Sequence, residues 1–124
     1  MNKVILSGRL VADPETKYFS KDNGEESAVS RYTLAVQRIG KKEEHEADFV
    51  RCVCFGARAS FCEKYLKKGM KMLVSGYLHT GSFKDKDGKT VYTTDVNVDE
   101  QEFAETKKKE NELNYVPGDD LPFN

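Results

Sequence analysis

An all-β domain with one short helix is the fold class this sequence predicts, and three observations predict it. Apolar residues recur at period two in several separate stretches, the signature of half-buried strands. The period becomes helical in one stretch only, residues 57–68. Asp, Asn and Gly, the residues that favour turns, punctuate the chain between those stretches. A chain of 124 residues has the length for one domain with a hydrophobic core, and not for two.

Residues 3–11 place Val4, Leu6, Gly8 and Leu10 on one face of a strand. Asp13-Pro14 breaks it, Lys17-Tyr18-Phe19 resumes extended chain, and Lys21-Asp22-Asn23-Gly24 makes a turn. Residues 27–38 alternate again, with Tyr32, Leu34 and Val36 on one side and Arg31, Thr33, Ala35 and Gln37 on the other. A polar loop over 40–46 leads into a third strand over 48–56. Ala59, Cys62, Tyr65 and Leu66 then recur at helical spacing. Gly69 stands where a helix C-cap belongs, behind Lys67 and Lys68, which suit the negative end of the dipole. Strand character returns over 70–78, a hairpin with Asp87-Gly88 favouring a primed turn follows, and a last strand runs over 89–98. After Phe103 no packed-element pattern is left.

Three strands, a short helix, two strands and a tail make the plan of the OB fold. That is a five-stranded barrel with its helix between the third and fourth strands, and it binds oligonucleotides on one open face. Fold alone does not license function, so the site must.

Composition narrows the classes. The 38% apolar and 33% charged residues describe a soluble domain with a charged surface. No apolar run approaches the ~18 residues of a membrane span. The N-terminus turns polar at Ser7 and lacks the apolar core of a signal peptide, so a cytoplasmic location is expected. Cys52, Cys54 and Cys62 have no disulfide-framework spacing and are expected to be buried free thiols. From Glu110 onward there are four acidic residues and no basic one, which leaves residues 1–109 with a net charge of +3. A mildly basic body with an acidic tail is a split that suits a polyanion ligand.

The third strand carries the most information. Phe49, Arg51, Val53 and Phe55 share one face, and Val50, Cys52 and Cys54 share the other. A small barrel has one interior, so one of these faces looks outward. Exposed rings flanking a guanidinium suit a single nucleic-acid strand, because rings stack on bases and the cation meets phosphates. The same face would equally suit packing under the helix, a loop or another subunit. Phe83, in Thr80-Gly81-Ser82-Phe83 beside Lys84, Lys86 and Lys89, reads as a barrel loop with an aromatic and positive charge, suited to closing over a strand.

Along almost its whole length the chain resembles the bacterial single-stranded-DNA-binding protein family. The resemblance is carried by residues 1–10, by Asp13-Pro14-Glu15 with Tyr18, and by Leu34-Ala35-Val36. It continues in Glu46-Ala47-Asp48-Phe49, Tyr65-Leu66-Lys67-Lys68-Gly69 and Val91-Tyr92-Thr93-Thr94-Asp95-Val96. It implies base-stacking aromatics at Phe49, Phe55 and Phe83, and basic contacts at Arg51, Lys67 and Lys68. Arg9, Arg31 and Lys84 complete the expected nucleic-acid-binding set. The resemblance further implies a homotetramer that wraps the strand, association with the nucleoid, and no catalysis, cofactor or metal. The chain departs from the family in having no tryptophan, no aromatic over 37–46 and a less basic 79–82. Each departure points to weaker binding per subunit, since stacking is worth ~1–3 kcal/mol per base.

The tail, 104–124, has few apolar residues and is expected to be a disordered linker with a functional tip. Asp119, Asp120, Leu121, Pro122 and Phe123 suit a peptide ligand, with carboxylates for a basic rim and a ring for a pocket. They resemble the family's tip, which recruits replication, recombination and repair proteins. Asn124 displaces the terminal carboxylate from the phenylalanine by one residue. Among competing classes, a zinc enzyme using His45, His79 and the cysteines lacks paired ligand spacing. Asp13 and Glu15 flank a proline and fit turn chemistry better than acid–base catalysis. An OB-fold primosomal accessory protein and an RNA-binding protein remain as alternatives.

Overall fold

The computed structural model describes residues 1–40 and 46–105. Six strands and one helix follow in the order β1 (Val4–Leu10), β2 (Glu15–Ser20), β3 (Glu26–Gln37), β4 (Ala47–Phe55), α1 (Ala57–Tyr65), β5 (Lys71–Lys84) and β6 (Thr90–Phe103). The sheet order is β1-β5-β6-β4-β3-β2, and a further β1–β3 pairing closes it. Besides pairing with β4, β3 is long enough for its other edge to serve two partners: its first half pairs with β2, and Leu34 and Ala35 pair with β1. The closed barrel is therefore five strands, β1, β3, β4, β5 and β6, with β2 as a flap on β3. This is the OB fold, with α1 between its third and fourth barrel strands.

Alternation explains the core. Leu10, Tyr32, Leu34, Cys52, Cys54, Met72, Val74, Val96 and Val98 point inward, and Ala59, Cys62 and Leu66 cover one end from the helix side. Two glycines allow the walls to approach. A Cβ on Gly8 would lie 2.6 Å from the Ala35 carbonyl oxygen, and one on Gly76 would lie 2.0 Å from that of Asn97. Beside Gly76 the β5–β6 register shifts, so that Ser75 faces Glu100, Gly76 faces Val98, and Asp99 is the extra residue. That bulge swaps the inward set of β6 from even to odd residues, turning Gln101 into the core. There Gln101 Oε1 accepts from Tyr32 Oη at 2.8 Å.

Three local expectations are corrected. The helix ends at Tyr65 rather than Lys68, because Leu66 turns extended (φ −91°, ψ 136°) to bury its side chain. Gly69 (φ 90°) consequently shapes the following loop instead of capping the helix. The 85–88 turn is not a two-residue primed turn. Gly88 N donates to Asp85 O and Asp85 N to Lys89 O, making a three-residue loop with Gly88 at its positive-φ end. Asp85 Oδ1 accepts from the Asp87 and Lys89 amides at 2.9 Å each and holds that longer form. Finally, β6 runs past 98 to Phe103 beside the start of β5, and β5 runs past 78 to Lys84, pairing with the first half of β6 as a two-stranded ribbon. The β5 arm is exposed on both faces, so no apolar alternation announced it.

Candidate nucleic-acid interface

β4 separates its two faces as alternation requires. Cys52 and Cys54 are buried, while Phe49 is 69% exposed and Phe55 and Arg51 stand open beside it. Residues directly opposite across paired strands share a face. Arg31 faces Val53, Thr33 faces Arg51, Ala35 faces Phe49 and Val29 faces Phe55, so Arg31 joins this outer surface. Val53 shares the face yet is only 6% exposed. It lies between Arg31 on β3 and Asn97 on β6, a short side chain between two longer ones.

Arg51 does not stand alone. Its Nε forms an ion pair with Asp95 Oδ1 at 3.0 Å, and the arginine side chain is 55% exposed against 22% for the aspartate. The carboxylate lies at the inner nitrogen, and the two terminal nitrogens make no hydrogen bond among the described residues. A guanidinium held by Nε presents its outer edge, the edge that recognises phosphate bidentately. Next to it β4 and β6 diverge after pairing at Cys52 and Val53. A cleft of about 590 Å3 opens there, lined by Phe49, Arg51, Leu78, Asp95 and Val96.

Phe83, expected in a loop, belongs to strand β5 and is 55% exposed on the ribbon. Register places Tyr77, His79, Gly81 and Phe83 on the face shared with Asn97 and Val53, hence with Arg51 and Phe49. Lys84 alternates to the other side of the ribbon, with Tyr92. Sequence reading missed Tyr77, Tyr92 and Asp95. Period two counted back from Phe83 would have found Tyr77, whose Oη accepts from Asn97 Nδ2 at 3.3 Å. No local pattern marks Asp95 as the partner of Arg51.

The remaining predicted cations lie at the opposite end of β5. Lys67, Lys68 and Lys71 rim a groove of about 930 Å3 with Tyr65 and Phe103 in its wall. Arg9 is occupied there: it donates to both Glu105 carboxylate oxygens, at 2.9 and 2.6 Å, and to Gly69 O at 3.0 Å. That pairing holds the Glu105 carboxyl below its ordinary pKa. Asp13 Oδ1 accepts from the Lys68 amide at 2.8 Å, the structural turn role its sequence context suggested. The predicted set thus divides into Phe49, Arg51, Phe55, Arg31 and Phe83 on one continuous face, and Lys84, Arg9, Lys67 and Lys68 elsewhere.

Residues 1–104 match the Single-strand binding protein family. The chain belongs to that family. A Clostridium perfringens protein named single-stranded DNA-binding protein is 44% identical over 106 residues, covering 86% of this chain and 67% of that protein. Clostridium acetobutylicum single-stranded DNA-binding protein 2 is 39% identical over 136 residues, covering 99% of this chain and 100% of its own length. A Bacillus cereus protein, also named single-stranded DNA-binding protein, is 42% identical over 109 residues, covering 86% of this chain and 62% of that protein.

The cysteines are free and buried, as their spacing suggested. His45 and the tip Asp119, Asp120, Leu121, Pro122 and Phe123 fall outside the described residues. No helix among the described residues is long and apolar enough to cross a membrane.

Proposed function

We propose that the chain binds single-stranded DNA across the outer face of β4 and the β5–β6 ribbon, as a non-catalytic protein without strong sequence preference. The observation that carries this is Phe49 and Arg51, two residues apart on one open face of the barrel. Phe83 lies along the ribbon on the same side. Bases stack on the rings, which is tolerant of sequence because every base has a π-face. The outer edge of Arg51 meets phosphate, with Arg31 adding charge. Phe55, Lys84, Lys67 and Lys68 extend the contact at its margins, and Arg9, engaged by Glu105, stays outside it.

Residues 1–103 form the strand-binding domain in this reading, and 104–124 form a linker and tip. The tip recruits replication, recombination and repair proteins through Asp119, Asp120, Leu121, Pro122 and Phe123. The working unit is a homotetramer in the cytoplasm, on the nucleoid. Exposed Ile5, Leu73 and Tyr77 on the outer side of β1 and β5 support assembly, since that apolar row is open in a single copy.

Titrating tyrosine fluorescence with oligo-dT, oligo-rU and duplex tests the ligand: the chain has six tyrosines and no tryptophan. Saturable quenching by oligo-dT, with none by duplex, supports the reading. Preference for oligo-rU supports an RNA-binding protein instead. No response to any of the three removes it. For the tip, full-length, Phe123→Ala and 119–124-deleted proteins are used to pull down cytosolic proteins. Equal recovery of replication and repair proteins by all three makes the tip a solubilising tail only. Particle mass with and without oligo-dT reports the assembly.

A further inference from the structure

Behind the strand-binding face, the inner side of β4 and the underside of α1 bring two thiols together. Cys62 Sγ lies 3.7 Å from Cys54 Sγ, and both side chains are wholly buried. Gln101, turned inward by the β6 bulge, reaches both sulfurs with its Oε1, at 3.4 Å from Cys54 and 3.5 Å from Cys62. Its Nε2 stands 3.4 Å from Cys62 Sγ as well. Two thiols in van der Waals contact, with one polar side chain reaching both, form an arrangement that hydrophobic packing does not require.

We propose that Cys54 and Cys62 are a peroxide-oxidisable dithiol, and that its oxidation closes a disulfide tying α1 to β4. Cys62 is the attacking thiol. The hydrogen bond the two share lowers the pKa of Cys62 and raises that of Cys54. Burial pushes the neighbouring Cys52 up to about 12, leaving it a thiol. In the first step the Cys62 thiolate attacks one oxygen of hydrogen peroxide. An S–O bond forms, the O–O bond breaks, and hydroxide leaves and takes up a proton. In the second, the Cys54 sulfur attacks Cys62 sulfur: the S–S bond forms, the S–O bond breaks, and water leaves with the Cys54 proton. The sum is two thiols and one peroxide giving one disulfide and two waters.

Closing the bond brings the sulfurs from 3.7 Å to ~2.05 Å, a small shift of one helix turn against one strand. Peroxide reaches them when α1 lifts. The helix has nine residues, no side-chain cap on Gly56 and no acidic residue in its first turn. Besides packing it is held by the Tyr18 Oη bond to Glu63 and the Gln101 Nε2 bond to Arg58 O, few enough ties for a local opening. The disulfide then removes that local opening. Phe49, Arg51 and Phe55 point away on the other face of β4, so oxidation leaves the strand-binding surface intact.

The test treats the native full-length protein with hydrogen peroxide, blocks remaining thiols, and maps peptides without reductant. Sulfoxide on the fully exposed Met1 shows that the oxidant acted. The expected result is a peptide pair joined through Cys54 and Cys62 with loss of two hydrogens. A higher Tm should accompany it and be reversed by dithiothreitol, with oligo-dT affinity changing less than twofold. Cys52→Ser should keep the cross-link, and Cys54→Ser and Cys62→Ser should each abolish it. Free, alkylatable Cys54 and Cys62 beside oxidised Met1 overturn the proposal. So does a cross-link through Cys52, or Cys62 driven to sulfinic acid without pairing. The wild-type map decides even where a serine variant folds poorly.

Discussion

Arg51 and Arg9 are both half-exposed arginines on outward faces of barrel strands, and both bond a carboxylate, yet the two are used differently. Arg9 spends both terminal nitrogens on Glu105 and adds the Gly69 carbonyl, joining β1 to the 66–70 loop and to the end of β6. Arg51 gives Asp95 only its Nε and keeps its outer edge free beside Phe49. The difference teaches that a cation in a plausible place does not identify a phosphate site. The nitrogens left over, and the rings beside them, do. Arg51 has both, and Arg9 has neither.

The largest effects should come from the rings that set the Arg51 region apart. Phe49→Ala and Phe83→Ala should each weaken oligo-dT binding by ~1–3 kcal/mol, or about five- to 150-fold. Phe55→Ala should also weaken it, with lower stability because the ring borders the helix start at Gly56. Normally folded Phe49→Ala and Phe83→Ala proteins that bind undiminished would place the strand elsewhere, with the Arg9–Lys67–Lys68 end as the next candidate.

Arg51→Gln comes next, at about tenfold weaker binding, roughly 1.4 kcal/mol for one charge-assisted contact. Its log–log salt slope should be shallower by ~0.7, the share of one phosphate on a single strand. Titration at several salt concentrations reads both. An unchanged slope would mean that Arg51 stacks on a base rather than meeting phosphate.

How much of this was legible in the sequence depends on how local the cause is. The inward and outward faces of β3 and β4 follow from period two, and the helix position from the change of period at Ala57. β2 was visible only as extended chain, because it is a flap paired on one side. The β5 arm of the ribbon beyond Leu78 was missed for a related reason: with both of its faces in solvent, it needs no apolar alternation. The Asp99 bulge, which aims Gln101 at the cysteines, and the Arg51–Asp95 pair both depend on which strands meet. That is set by barrel closure and carries no local mark. Arg9 was read as a strand-binding cation because Glu105, its partner, stands at the far end of β6.

Asp95 sharpens the contrast between a cation that is held and one that is consumed. Asp95→Asn removes a negative charge from the binding face but keeps a polar side chain of the same shape beside Arg51 Nε. Affinity for oligo-dT should rise about threefold at low salt, and the gain should fade at high salt, where exposed charges are screened over ~10 Å or less. Asp95→Ala removes the charge and the anchor together, so its gain should be smaller or reversed. Equal gains from the two variants would show that Asp95 acts through charge alone and does not orient Arg51.

Arg9→Gln should have the smallest effect on the strand, and its outcome decides whether the two arginines differ in kind. Affinity for oligo-dT should change by less than about threefold, roughly 0.6 kcal/mol, with an unchanged salt slope. The loss should appear in the fold instead, as a slightly lower Tm, because the ties from β1 to Gly69 O and Glu105 are gone. The pH dependence follows from the direction of the Glu105 shift. Its folded pKa lies below the ordinary 4.5, so the pair's contribution is present above that value and is lost as pH falls through the lowered one. The gap in Tm between wild type and Arg9→Gln should therefore be open at neutral pH. It should narrow in acid below 4.5, leaving only what the Gly69 bond supplies. A drop in DNA affinity matching that of Arg51→Gln, with a shallower salt slope, would mean that phosphate displaces Glu105 from Arg9. The strand would then reach both ends of β5.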